Sequence, residues 1–133
     1  MYTINDIQLH KIPTIEDVRG NLAVLQNGGL PFEFKRVYYL FDVPSTAFRG
    51  GHSHIEQHEL LIALSGSFEV TVDDGTHKKS FLLNKPNIGL HIPTGIWREL
   101  ENFSSGAVCL VLASDVFKEE DYIREYDDFL ASK

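Results

Sequence analysis

Apolar and polar residues alternate along short segments over most of the chain. The segment from Phe68 to Val72 alternates with a period of two and is followed by Asp73-Asp74-Gly75. This period is that of a half-buried strand, and Asp-Gly favours a tight hairpin turn. Similar short runs, separated by turn residues, cover positions 21–25, 32–42, 60–64, 79–83, 89–93, 96–100 and 107–113. Many short strands with turns between them predict an all-β protein, either a sandwich or a small barrel.

The two ends of the chain follow different patterns. Near the C-terminus the apolar residues recur at the spacing of one helix face, and they are Tyr122, Ile123, Tyr126, Phe129 and Leu130. We therefore predict a helix at about 118–131, packed on the outside of the strands with its acidic face in water. The stretch from Tyr2 to Leu9 is short and mixed. It is consistent with an edge strand, and an exchange of this strand with a partner chain is one arrangement it allows.

Two histidines stand at the start of the most apolar run of the chain. His52 and His54 lie in the stretch Arg49-Gly50-Gly51-His52-Ser53-His54, ahead of Leu60-Leu61-Ile62-Ala63-Leu64. Residues i and i+2 of a strand point to the same face. If the strand lines a barrel, both imidazoles point into its interior. Imidazole titrates near neutrality, so such a pair suits acid–base chemistry. His10, His58, His77 and His91 are expected to be structural or solvated.

Composition narrows the class of protein. The 133 residues suit one domain, 1–133. The formal net charge of −7 argues against a broad nucleic-acid surface. Cys109 is the only cysteine and lies in an apolar run, so it is expected to be a buried, inert thiol. The lack of an intramolecular disulfide suits the cytoplasm, and no apolar run approaches the length of a membrane span.

A two-part motif surrounds the histidines. The first part is His52, His54, Glu59 and Gly66, and the second is Pro93, Gly95, Arg98 and Asn102. This pattern resembles the cupin signature, and it implies a cupin (RmlC-like) double-sheet β-barrel, or jelly roll. Where the second part of the signature has a metal-binding histidine, this chain has Arg98, and a guanidinium cannot coordinate a metal. We therefore expect no metal and no cofactor, with Glu59 hydrogen-bonded in the barrel wall.

A longer set of motifs is similar to one enzyme family, from about residue 12 to the C-terminus. The motifs are Asp17-x-Arg19-Gly20-x-Leu22, Pro31-Phe32-x-x-Lys35-Arg36-Val37-Tyr38-Tyr39, Arg49-Gly50-x-His52-x-His54, Asp73-Asp74-Gly75, Trp97-x-Glu99, Asn102-Phe103-Ser104, Val111-Leu112-Ala113-Ser114 and Asp121-Tyr122-Ile123-Arg124-x-Tyr126. They resemble the nucleotide-sugar 3,4-ketoisomerases of the FdtA/WxcM type. The resemblance implies dTDP-4-keto-6-deoxyglucose as substrate, a metal-free cupin and a homodimer. It also implies a role in making 3-amino-3,6-dideoxyhexoses for bacterial surface glycans such as O-antigen or an S-layer glycan.

The resemblance also implies roles for individual residues. His52 would transfer the proton between C3 and C4, and His54 would assist it. The expected substrate-binding residues are Arg19, Tyr38, Arg49, Arg98 and Trp97. Of these, Trp97 is open to packing as well as to stacking on thymine. Neighbours on a strand alternate, so Tyr38 and Tyr39 cannot both face inward.

The departure at Arg98 bears on the stereochemistry of the product. Most of the family has a histidine at this position, in a Trp-His-Glu sequence. If that histidine delivers the C4 proton to one face, its loss favours the gluco over the galacto product. Arg19 keeps the residue that is common in the family, so the two signals disagree.

Three alternatives remain open from the sequence. The first is a metal-dependent cupin enzyme that uses His52, His54 and Glu59, since two histidines and one carboxylate can hold a divalent metal. The second is a non-catalytic sugar-binding cupin that kept the pocket. The third is a C3/C5 epimerase of the same fold, although the motifs of that family are not found here.

Overall fold

The computed structural model describes residues 1–133, and most of its regular structure is extended. In chain order the strands are β1 (Gln8–Lys11), β2 (Thr14–Asp17), β3 (Gly20–Ala23), β4 (Arg36–Leu40), β5 (Arg49–His54), β6 (Glu59–Ser65), β7 (Phe68–Asp73), β8 (Lys78–Leu83), β9 (Ile88–Ile92), β10 (Trp97–Glu101), β11 (Val108–Ala113) and β12 (Tyr122–Ile123). One helix, α1 (Tyr126–Ala131), ends the chain, and short 3₁₀ turns lie at Ile4–Asp6 and Glu119–Asp121.

Two antiparallel sheets of five strands form the body of the protein. Sheet A has the strand order β1-β9-β6-β11-β4, and sheet B has the order β12-β5-β10-β7-β8. Strands β2 and β3 form a separate hairpin. The main apolar core lies between the sheets, where Leu61 and Val111 of sheet A meet Phe68 and Val70 of sheet B. The predicted all-β architecture is therefore confirmed.

Strand β6 is buried on both faces, which explains its unbroken apolar sequence. Leu61 faces the main core, whereas Leu60 belongs to a second cluster on the outer side of sheet A. The side chains packed over this outer cluster are Leu25, Leu30, Phe32, Phe34 and Leu110. Two of them fall in the segment 32–42, for which the sequence predicted a strand throughout. The strand is in fact Arg36–Leu40, because the residues before it cover the outer face of sheet A.

The helix predicted at about 118–131 is shorter, and this prediction was wrong for its first part. Only Tyr126–Ala131 is α-helical, and Glu119–Asp121 forms a 3₁₀ turn. Tyr122 instead pairs with His54 at the edge of β5, where strand hydrogen bonds are available to it. Phe129 is fully buried and anchors α1 on sheet B. No helix in the structure has the length and the apolar character that a membrane crossing requires.

The N-terminal segment lies against its own chain. Strand β1 pairs with β9, with Gln8 opposite His91 and Lys11 opposite Ile88. The backbone N–H of Ile4 also donates a hydrogen bond to the carboxylate of Asp74, at 2.9 Å. The predicted edge strand is thus present, and in this arrangement it pairs within the chain.

Candidate active site

A cavity of about 520 Å³ opens where β4 of sheet A, β5 of sheet B and the C-terminal segment meet. Its lining residues are Arg36, Tyr38, Leu40, Phe48, Arg49, Gly50, Gly51, His52, Phe117, Tyr122 and Arg124. Gly50 has a φ of 72°, and a Cβ there would lie 2.9 Å from the Leu100 side chain. Glycine is therefore required at this point of the wall. The adjacent Gly51 also adds no side chain, which leaves room for a ligand beside His52.

His52 and His54 meet as their spacing predicts. Their Nε2 atoms lie 3.1 Å apart, and the two rings are in an edge-to-face arrangement. His52 lines the cavity, whereas His54 is fully buried behind it. Burial is the first cause that lowers the pKa of His52 to about 3, followed by the charges of Arg98 and Arg124. Burial likewise holds the pKa of His54 far below its ordinary value. Both rings are therefore neutral near pH 7, so His52 can accept a proton.

Asp121 completes this group, and sequence reasoning missed it. Its Oδ2 lies 3.0 Å from Nδ1 of His54, on the side of the ring opposite His52. The carboxylate is held in place because Oδ1 accepts a hydrogen bond from the backbone N–H of Glu56 at 2.7 Å. In the sequence, Asp121 fell in the predicted helix and counted as part of its acidic face. The only signal for it was its place in the family-like motif Asp121-Tyr122-Ile123-Arg124.

A second buried polar group lies beside the histidines and centres on Glu59. Arg98 donates from Nη1 to Oε1 of Glu59 at 2.5 Å, and from Nη2 to the Ile96 carbonyl at 2.9 Å. Tyr38 donates to Oε2 at 2.8 Å, and Gln57 donates to the same oxygen at 3.0 Å. Burial, followed by the charge of Glu59, raises the pKa of Tyr38 well above its usual range. Tyr38 thus remains a protonated hydrogen-bond donor in the cavity wall.

The residues of the possible metal site do not suit a metal. Ligand atoms of His52, His54 and Glu59 all lie within 4.8 Å of one another. However, both oxygens of Glu59 already accept hydrogen bonds from protein donors, and one of those donors is the guanidinium of Arg98. A divalent cation at this place would have to displace these donors and stand beside a fixed positive charge. The donor set therefore does not fit the metal-dependent alternative.

Three arginines give the cavity a positive lining. Arg49 was predicted there, and Arg36 and Arg124 join it. The Arg124 guanidinium stacks 4.3 Å from the centre of the Tyr122 ring. Arg36 donates to Oε1 of Gln57 at 3.2 Å and leaves its Nε without a partner. Arg124 also donates from Nε to Oε1 of Glu119 at 2.7 Å. Guanidinium groups around one cavity suit a phosphate-bearing ligand. The only sequence signal for Arg36 and Arg124 was their place within the family-like motifs.

Three predicted substrate-binding residues lie outside this cavity lining, and their role in substrate binding stays a prediction. Trp97 packs against α1, with its ring 5.3 Å from that of Tyr126, because β10 turns this side chain outward. Its neighbour Arg98 points inward but is only 1% exposed and is held by Glu59. Arg19 stands on the β2–β3 turn, where its side chain is 86% exposed and pairs with Asp17. Of the five, Tyr38 and Arg49 line the cavity.

Comparisons with known proteins show the family of the chain. The family model for FdtA, described as WxcM-like, C-terminal, matches residues 5–133. The chain belongs to the FdtA family. One relative, the TDP-4-oxo-6-deoxy-alpha-D-glucose-3,4-oxoisomerase of Aneurinibacillus thermoaerophilus, is 44% identical over 116 residues, which are 86% of this chain and 84% of the relative. This FdtA-family protein is accordingly an isomerase of the 3,4-ketoisomerase class.

Solved structures of other 3,4-ketoisomerases have the same fold. A Helicobacter canadensis enzyme has a TM-score of 0.92 and 46% identity, and the match covers 96% of both chains. A His-to-Asn mutant of QdtA from Thermoanaerobacterium thermosaccharolyticum, in complex with TDP-4-keto-6-deoxyglucose, has a TM-score of 0.93 and 38% identity, over 96% of this chain and 93% of that one. WlaRB, a TDP-quinovose 3,4-ketoisomerase of Campylobacter jejuni, has a TM-score of 0.89 and 44% identity, over 95% and 98%. The cupin-like fold that the sequence implied is confirmed.

Proposed function

We propose that this FdtA-family protein converts dTDP-4-keto-6-deoxyglucose into a dTDP-3-keto-6-deoxyhexose without a cofactor. The observation that carries the proposal is the placement of His52, a neutral imidazole, in the wall of a cavity that arginines also line. His54 and Asp121 support it from behind. The relative from A. thermoaerophilus is a 3,4-oxoisomerase of this sugar, and the QdtA mutant is in complex with it.

The chemistry needs only proton transfers. The C4 ketone acidifies the C3 proton, and His52 removes it while the C–H electron pair forms the C3=C4 bond of an enediolate. A proton then adds to C4, the O3 hydroxyl loses its proton, and O4 gains one. The ketone is now at C3, and no electrons have left the sugar. General acid–base catalysis of this kind requires a base with a free lone pair at the working pH, and a neutral His52 ring has one.

Binding of the nucleotide is assigned to the arginines of the cavity. Arg36, Arg49 and Arg124 line it together, and guanidinium groups bind phosphate oxygens through paired hydrogen bonds. We therefore place the pyrophosphate at these three residues. In this arrangement the sugar lies deeper, against His52 and Tyr38.

For the product we propose the gluco configuration at C4. In the gluco sugar H3 and H4 lie on opposite faces of the ring, so the base at C3 and the acid at C4 must approach from opposite sides. His52 comes from sheet B and Tyr38 from sheet A, and both line the same cavity. The Tyr38 hydroxyl turns from Glu59 to the sugar, donates to C4, and later regains a proton from His52 through solvent. The similarity to WlaRB supports this product, because quinovose is the gluco 6-deoxyhexose.

The cellular setting follows the same proposal. We propose a cytoplasmic homodimer that acts in 3-amino-3,6-dideoxysugar biosynthesis for a surface glycan. Val37, Tyr39 and Phe41 are about half or more exposed on and beside the edge strand β4, and a second copy would cover this apolar surface. Exchange of β1 would replace the β1–β9 pairing within the chain by the same pairing between chains.

The first test is incubation of the protein with dTDP-4-keto-6-deoxyglucose in deuterated water, with a chelator present, followed by proton NMR. We expect the H3 signal to disappear and a 3-keto species with deuterium at C4 to form. In a parallel reaction in ordinary water, the product trapped as its 3-amino derivative should show a large H4–H5 coupling if it is gluco, whereas a small coupling would indicate galacto. Exchange that appears only after metal is restored would support the metal-dependent alternative. If no exchange occurs under either condition, the protein is not a ketoisomerase for this sugar.

A further inference from the structure

Three side chains form a continuous hydrogen-bonded row that ends at the cavity. Asp121 Oδ2 is 3.0 Å from His54 Nδ1, and His54 Nε2 is 3.1 Å from His52 Nε2. Asp121 is 13% exposed and His54 is not exposed at all. The only buried polar side-chain atoms without a partner are Arg36 Nε, Ser53 Oγ and Arg98 Nε. The other ring nitrogen of His52, Nδ1, makes no hydrogen bond. Since it is not one of these buried atoms, it is accessible to solvent.

The chemistry of the groups decides where each proton lies. A carboxylate can only accept, so Nδ1 of His54 carries a hydrogen and donates it to Asp121. In the neutral ring, Nε2 of His54 is then a bare acceptor, and it receives the N–H from Nε2 of His52. Gln57 agrees with this, because its amide nitrogen is 3.5 Å from the same acceptor. The accessible Nδ1 of His52 is therefore left with a free lone pair.

We propose that Asp121 is a positioning residue for the isomerisation, which sets the tautomers of His54 and His52 so that the base faces the cavity. This proposal rests on the proposed function. Asp121 itself does not touch the sugar. It acts through His54, and its own position is determined by the backbone N–H of Glu56 and by the hydrogen bond from Ile55 N–H to its carbonyl at 2.9 Å.

The row also accounts for the charge that forms during the reaction. When Nδ1 of His52 takes the C3 proton, its Nε2–H can be shared with Nε2 of His54. The positive charge then spreads over two rings and faces two carboxylates, Asp121 at 3.0 Å and Glu59 at 3.6 Å from His54. When His52 releases the proton, the original hydrogen positions return. No oxidant or further reactant enters this step.

The variant Asp121→Asn tests the proposal sharply because the site dictates how the amide must turn. The Glu56 N–H needs an acceptor, so the amide oxygen should take that place and the NH₂ should face His54. His54 then loses its Nδ1 hydrogen, carries one on Nε2, and donates it to His52. His52 in turn carries its hydrogen on Nδ1 and has no lone pair toward the sugar. We expect kcat to fall by about 100-fold or more while KM stays within about threefold.

The matched control is Asp127→Asn, which removes the same charge from an exposed position on α1. It should keep the activity of the parent. A kcat of Asp121→Asn equal to that of Asp127→Asn would overturn the proposal. A large rise in KM with unchanged kcat would also overturn it, because that result would make Asp121 a binding residue.

Nitrogen NMR of the histidine rings gives a readout that does not depend on activity. In the parent protein we expect His54 to be protonated at Nδ1 and His52 at Nε2, and in Asp121→Asn the reverse. The opposite tautomers in the parent would overturn the proposal even if the variant fails to fold. Failure of the proposed function differs from failure of the Asp121 proposal. In that case the parent would show no exchange at C3, while the tautomer measurement could still come out as expected.

Discussion

Two pairs of histidines are in hydrogen-bonding contact in this protein, one inside the barrel and one on the outer side of sheet A. His52 and His54 approach at 3.1 Å, and His58 and His91 approach at 3.0 Å. The outer pair lies under the ring of Phe32, at 5.8 and 5.5 Å. In both pairs burial lowers the pKa of the rings. Contact and burial therefore do not distinguish the two pairs.

The surroundings of the two pairs do differ. The inner pair has the Asp121 carboxylate at one end and the cavity at the other. The outer pair has aromatic neighbours, and no carboxylate contacts it. An imidazole pair becomes an acid–base device when a carboxylate orients it and a substrate can reach it. The sequence expectation that His58 and His91 are structural agrees with this arrangement.

The largest effect is expected when each pair loses one ring. His52→Asn should lower kcat by at least about 100-fold, because it removes the general base, and dTDP should still bind. His91→Asn should change kcat by less than about twofold, as expected of a group outside the site. Steady-state kinetics and dTDP titration of both variants measure this difference. Equal losses in the two variants would remove the distinction between the pairs, and no loss in His52→Asn would assign the base elsewhere.

A second difference is that the inner pair stands beside a buried ion pair. Arg98→Met leaves the Glu59 carboxylate buried without its cation, and we expect the free energy of unfolding to fall by about 3–5 kcal/mol. Urea unfolding measures it. The double variant Arg98→Met/Glu59→Gln should regain much of the loss, because it removes the unpaired charge. Arg19→Met, which breaks an exposed pair with Asp17, is the control and should leave stability near that of the parent. An Arg98→Met protein as stable as this control would contradict the assignment.

The smallest effect concerns pH and the outer pair. Burial, then the charges of His58 and His10, lowers the pKa of His91 from 6.5 to about 4. Between these values the unfolded chain binds a proton that the folded chain does not, so stability is full above pH 6.5 and is lost as pH falls toward 4. His91→Gln should flatten this part of the stability curve, as measured by urea unfolding at several pH values. His77→Gln, at an exposed position, is the control. The same slope in both variants would show that His91 does not titrate as described.

Much of the fold could be predicted from local pattern alone. Alternation, turn residues and the two-part motif predicted the all-β barrel, and the i, i+2 spacing brought His52 and His54 together. The motif also predicted that Glu59 would be hydrogen-bonded in the wall, as it is with Tyr38 and Arg98. These features depend on the period of a strand, which is local and is therefore visible in the residues themselves.

Other features were decided by contacts between distant segments. Asp121 reaches His54 only because residues 122–123 add a strand to β5, and a helix was the better local prediction there. Trp97 faces α1. Tyr38 faces the cavity, although the strand pattern alone allowed either tyrosine of β4 to face it. The sequence by itself thus determined the strands, the histidine pair and the family. The carboxylate behind that pair, the arginines around the cavity and the direction of each wall residue were decided by how the two sheets and the C-terminal segment pack, since hydrogen-bond partners far apart in sequence are chosen only in the folded chain.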